Sequence, residues 1–128
     1  MPAHSNHVLI IEDELPLVRV LAEELRDHGF TVSTASNGRE GLHIALTEHP
    51  DLILVDIVMP EMDGITMLKK LRKNSWGSKV PVIILTNISD AAKIDESFDS
   101  GVHDYIVKAD WELEDIVRKA RARLAIPV

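Results

Sequence analysis

Five apolar runs of strand length set the strongest limit on how this chain can fold. They are HVLII (7–11), FTVSTA (30–35), DLILVD (51–56), PVIILT (81–86) and YIVK (105–108). The segments between them carry helical spacing. The clearest is LPLVRVLAEELRDH, where Leu15, Val18, Ala22 and Leu25 would share one helix face. Pro16 suits the first turn of that helix and Gly29 its end. Further helices are predicted over 38–48, 64–74, 90–99 and 111–124, the last with Asp110 as N-cap and Glu112 and Glu114 in its first turn.

Strand and helix thus alternate five times, the pattern of a parallel sheet with helices on both faces. VLII, LILV and VIIL are apolar throughout, as strands covered on both sides must be. FTVSTA instead alternates, with Phe30 and Val32 on one side and Thr31 and Ser33 on the other, which marks an edge. The expected architecture is a doubly wound α/β fold, (βα)5, with a five-stranded parallel sheet in the flavodoxin-like order 2-1-3-4-5. One domain over 7–125, preceded by a tail over 1–6, accounts for the 128 residues.

Composition removes several classes of function. The chain has no cysteine, which excludes disulfides, thiolate metal sites and a cysteine nucleophile and suits a reducing cytoplasm. No apolar run reaches the roughly 18 residues of a membrane span, and MPAHSNH does not resemble a signal peptide. A net charge of −7 disfavours contact with nucleic acid. The basic run VRKARAR (117–123) fits the end of the last helix, where cations complement the dipole. His4 and His7 have a possible metal-ligand spacing but fall in a polar N-terminal tail, and His28, His43, His49 and His103 show no partner pattern. Met59, Met62 and Met67 fit as gap fillers around the third helix.

In a sheet of this order, ligands bind beyond the carboxyl ends of the strands, between the first and the third. Strand 1 ends in Glu12-Asp13, strand 3 in Asp56, strand 4 in Thr86 and strand 5 in Lys108. Each residue alone has a plain explanation: an Asp after a strand is commonly a turn or cap, and an acidic pair before a helix complements its dipole. Together they bring three carboxylates into one crevice, where at least one should bind a proton near neutral pH. A hard divalent cation with oxygen ligands resolves the repulsion, and Mg2+ is the usual partner of carboxylates and phosphates.

The runs LIIEDE (9–14), LVDIVMPEMDG (54–64), VIILT (82–86) and YIVK (105–108), in that order and spacing, resemble the receiver domain of two-component response regulators. The resemblance covers nearly the whole chain. It implies that Asp56 accepts a phosphoryl group from a histidine kinase. It also implies that Glu12, Asp13 and Asp56 surround Mg2+ with the Val58 backbone carbonyl as a further ligand. Thr86 and Lys108 would contact the phosphoryl oxygens, and Tyr105 would be the aromatic switch. The implied partners are a histidine kinase or histidine phosphotransfer protein, and a downstream protein docking on the face formed by the fourth helix, fifth strand and fifth helix. A stand-alone receiver, or a receiver cut from a longer protein, is expected, either monomeric or dimerising on phosphorylation.

Two positions depart from the family's commonest pattern: Asn87 stands where a small residue is usual, and Ala109 where proline is usual. The main rival is a phosphatase of the haloacid dehalogenase type with Asp56 as nucleophile. Its acid/base Asp would stand at position 58, where this chain has Val58. A flavodoxin-like electron carrier is a weaker rival, because 4% aromatic residues is thin for stacking a flavin.

Overall fold

The computed structural model describes residues 6–86, 95, 96, 98–102, 104–108 and 112–124. Its elements are β1 (His7–Ile11), α1 (Leu15–Asp27), β2 (Thr31–Ala35), α2 (Gly38–Glu48), β3 (Leu52–Asp56), α3 (Gly64–Arg72), β4 (Val82–Thr86), β5 (Asp104–Val107) and α4 (Leu113–Leu124). All four strand pairings are parallel, and the order is β2-β1-β3-β4-β5. The predicted sheet order is therefore the observed one, with the alternating strand β2 at an edge. Of the helix predicted over 90–99, Asp95, Glu96, Phe98 and Asp99 are helical and the greater part lies outside the described residues. Asp110, the predicted N-cap of the last helix, is outside them as well. That helix starts at Leu113, so its acidic first turn holds Glu114 and Asp115, with Glu112 ahead of it.

The pleat sorts the central strands into two cores. Leu9, Ile11, Ile53, Val55, Val82 and Ile84 point to the side covered by α2 and α3, where Met67, Leu68 and Leu71 pack. Val8, Ile10, Leu52, Leu54, Ile83 and Leu85 point to the other side, against Leu21, Ala22 and Leu25 of α1 and Ile116, Val117 and Ala120 of α4. Met59 and Met67 are buried in the first core and Met62 packs against it. Burial on both faces is why β1, β3 and β4 are uniformly apolar.

Two readings of the sequence need correction. The buried stripe of α1 is Val18, Leu21, Ala22 and Leu25, whereas Leu15 is 58% exposed. The helix starts over the C-terminal edge of the sheet, so its first residue has no strand beneath it. The histidines are also better partnered than their spacing suggests. His7 belongs to β1 and not to a tail; its ring Nε2 is 2.8 Å from Ser33 Oγ, which donates to Glu48 at 2.6 Å. His28 Nδ1 lies 2.9 Å from the Glu24 carbonyl oxygen. His49 caps α2 in the left-handed region (φ 51°) and stacks on Trp76 with ring centroids 4.3 Å apart.

Arg72, at the end of α3, ties two loops together. Its guanidinium donates to the carbonyls of Gly77, Val80, Ser100 and Gly101 at 2.8–2.9 Å. The segments leading into β4 and β5 are thereby held to one helix end, which sets where those strands finish.

Candidate functional site

Four chain segments meet at the carboxyl edge of the sheet. β1 ends at Ile11, and the Glu12 amide continues its pairing by donating to the Ala35 carbonyl at 2.9 Å, which turns Glu12 inward beneath α1. β3 delivers Asp56 as its last residue. β4 ends in the buried Thr86, whose carbonyl accepts the Lys108 amide at 2.7 Å, so the ends of β4 and β5 are joined beside the site.

Beyond Asp56 the chain must turn sharply to enter α3. Asp63 caps that helix by accepting the Thr66 amide at 2.8 Å, and the Gly64 amide donates back to the Ile57 carbonyl at 2.8 Å. A Cβ on Gly64 would lie 2.2 Å from the Asp56 carbonyl oxygen, so only glycine allows this approach. Glu61 takes up the turn with a positive φ of 66°.

Glu12, Asp13 and Asp56 form a cluster in which one carboxylate oxygen from each lies within 4.8 Å of the others. Glu12 and Asp56 are buried and Asp13 is exposed. Lys108 enters from the side. Its ammonium hydrogen-bonds Asp56 Oδ2 at 2.9 Å and Glu14 Oε1 at 2.7 Å. It also lies 2.7 Å from Glu12 Oε1, an ionic contact without hydrogen-bond alignment, which leaves that buried oxygen with no hydrogen-bond partner among the described residues. Asp56 Oδ1 accepts the Val58 amide at 3.3 Å, while the Val58 side chain is exposed.

The electrostatics follow from this crowding. Burial, opposed by Lys108 and reinforced by the Asp56 charge, pushes the Glu12 carboxyl up to about 7. Burial likewise raises Asp56, with Lys108 working against the rise and Asp13 adding to it. For Lys108, burial acts against the ammonium, but its close contacts with the carboxylates of Glu12, Glu14 and Asp56 outweigh it and hold the group above the ordinary lysine range. One ammonium thus faces more acid than it neutralises. A buried Glu12 oxygen that accepts no hydrogen bond from the described residues, within an all-oxygen donor set, fits a hard divalent cation.

Of the residues picked from the sequence, Glu12, Asp13, Asp56 and Lys108 converge, and Thr86 is joined to Lys108 through its carbonyl. Tyr105 stands apart on β5, 39% exposed, its ring edge-on to Phe98 with centroids 5.9 Å apart. Asn87 and Ala109 lie outside the described residues. Sequence reasoning gave no role to Glu14, though its place in the acidic run EDE was a signal that a fourth carboxylate stood at the site.

The family model for the response regulator receiver domain matches residues 8–121. The chain belongs to that family. It is a receiver domain of two-component systems, and the dehalogenase-type phosphatase finds no support. The receiver is similar to the regulatory protein AtoC of Escherichia coli, 39% identical over 111 residues, or 87% of this chain and 23% of that protein. It is also similar to the transcriptional regulatory protein SrrA of Staphylococcus aureus, 37% identical over 120 residues, covering 94% of this chain and 48% of SrrA. The receiver thus spans half or less of these curated relatives. Among solved structures it resembles a CheY-like receiver domain protein from Methanospirillum hungatei (TM-score 0.88, 26% identity, 94% of each chain). The chemotaxis protein CheY4 of Vibrio cholerae is similar too (TM-score 0.83, 29% identity, 93% of this chain and 98% of that one). Among the described residues, no helix is long and apolar enough to cross a membrane.

Proposed function

We propose that Asp56 is the phosphoacceptor, taking a phosphoryl group from the phosphohistidine of a histidine kinase or histidine phosphotransfer protein. The observation that carries this reading is the Asp56 carboxylate itself: buried, bonded to Lys108 at 2.9 Å, and grouped with Glu12 and Asp13. A carboxylate held in this way is a competent nucleophile toward phosphorus. The new O–P bond forms as the P–N bond to the imidazole breaks. In so loose a transition state, positioning and neutralisation of charge supply most of the catalysis.

Glu12, Asp13 and Asp56, with the Val58 carbonyl, would hold Mg2+. When bound, the ion neutralises charge on the phosphoryl oxygens. Lys108 supplies a fixed cation bonded to the Asp56 carboxylate, and the Thr86 hydroxyl meets a phosphoryl oxygen. Its movement opens space for Tyr105 to turn inward, so that a local change of charge biases a two-state surface. The receiver unit runs over 7–125 and serves as a phosphoacceptor that assists its own transfer. It works in the cytoplasm, as a monomer or a phosphorylation-dependent dimer, without touching nucleic acid. Output passes by protein contact over the face formed by the helix expected from the sequence over 90–99, β5 and α4. The similarity to regulators that extend beyond a receiver supports transmission to an effector.

The test is phosphorylation of the purified chain by acetyl phosphate with Mg2+, read by intact mass. The wild type is expected to gain one phosphoryl group and Asp56→Asn none. A phosphorylated Asp56→Asn protein would sink the assignment.

A further inference from the structure

Lys108 does not serve Asp56 alone. Its second well-directed hydrogen bond goes to Glu14 Oε1 at 2.7 Å. The two acceptors are unlike. The Asp56 side chain is almost wholly buried, whereas that of Glu14 is 56% exposed. Glu14 is also outside the trio whose oxygens converge for a cation. It occupies the N-cap position of α1, yet its side chain makes no capping hydrogen bond. Its carboxylate is directed to Lys108.

We propose that Glu14 is a positioning residue for phosphoryl transfer: a placeholder that holds a Lys108 donor in the unphosphorylated protein and surrenders it to the incoming phosphoryl oxygen. The inference rests on the reading of Asp56 as phosphoacceptor. A group arriving on Asp56 brings oxygens that need donors. The bond from Lys108 to Asp56 already points at the acceptor, and the contact with Glu12 is buried. The bond to Glu14 is the one that water can replace, since an exposed carboxylate regains its hydration when released. With acetyl phosphate, the Asp56 O–P bond forms while the P–O bond to acetate breaks, and acetate leaves with the electron pair. The Lys108 protons stay on nitrogen, and one hydrogen bond moves from carboxylate to phosphoryl oxygen. Glu14 therefore slows phosphorylation and makes it sensitive to salt.

The experiment compares phosphorylation rates of the full chain, wild type, Glu14→Gln and Glu14→Asp, by acetyl phosphate with Mg2+ at low and high ionic strength. Glu14→Gln is expected to react about two- to fivefold faster at low salt, the scale of an exposed ion pair. Glu14→Asp separates occupancy from simple charge. It keeps the negative charge at the mouth but is shorter, and Asp at an N-cap turns to the helix amides. It should be accelerated nearly as much as Glu14→Gln. High salt should bring the wild type up to the variants, because exposed pairs are screened. Wild-type rates in both variants, or acceleration in Glu14→Gln alone, would overturn the placeholder and leave Asp56 as the acceptor. A wild type that takes no phosphoryl group at Asp56 would instead overturn the proposed function, and the placeholder with it.

Discussion

The surplus of acid at the site gives the metal-free protein a stability that falls as pH rises, and Glu12→Gln isolates the cause. Burial pushes the Glu12 carboxyl up to about 7 in the fold, from an ordinary value of about 4.5. A carboxyl whose folded pKa lies above its unfolded one binds its proton more tightly in the native state. Its contribution is complete below about 4.5 and is lost as pH rises through about 7. At about 1.4 kcal/mol per unit, the loss comes to about 3 kcal/mol. Asp56, raised in the same direction, adds to it, whereas the stability from the raised Lys108 is lost only above the ordinary lysine range. Urea unfolding in EDTA at about pH 5, 6.5 and 8, followed by circular dichroism, measures the slope. Glu12→Gln should flatten it by about 2.5 kcal/mol over that range. Any penalty of the amide itself is independent of pH and cancels in the slope. Mg2+ should restore wild-type stability at about pH 8, since a cation takes the place of the proton. Parallel slopes for wild type and variant would refute the reasoning.

Three further outcomes are expected. Gly64→Ala should cost about 2 kcal/mol or more and impair phosphorylation, because its Cβ would lie 2.2 Å from the Asp56 carbonyl oxygen; urea midpoints and intact mass read the two effects. Arg72→Leu should cost about 3 kcal/mol by stranding four carbonyls, with an unchanged denaturant slope; a loss under about 0.5 kcal/mol would show that the clamp is decorative. Self-dephosphorylation should be slow, since the exposed Val58 beside Asp56 cannot orient water, and Val58→Asn should speed it about tenfold. Decay of the phosphorylated protein after donor removal measures this, and an unchanged half-life counts against it.

The sequence by itself determined the architecture, because the signals for it are local. The uniformly apolar VLII, LILV and VIIL require cover on both faces, and the alternating FTVSTA tolerates an edge; β2 is the edge strand. It also marked Glu12, Asp13, Asp56, Thr86 and Lys108 as strand-end residues, since a polar group that stops an apolar run needs no tertiary information to be seen. Only the tertiary structure decided how these groups share one another. Lys108 meets Asp56 across 52 residues of chain and Glu14 across 94, and no periodicity encodes which carboxylate an ammonium will reach. The same holds for His49 on Trp76, for His7 with Ser33 and Glu48, and for Arg72, whose charge gave no hint of four carbonyl partners. Leu15 and Leu25 make the point within one helix. Both fit an apolar spacing, yet Leu25 is buried in the core and Leu15 is exposed. Spacing sets which residues can share a face; what lies opposite that face depends on where distant strands stop.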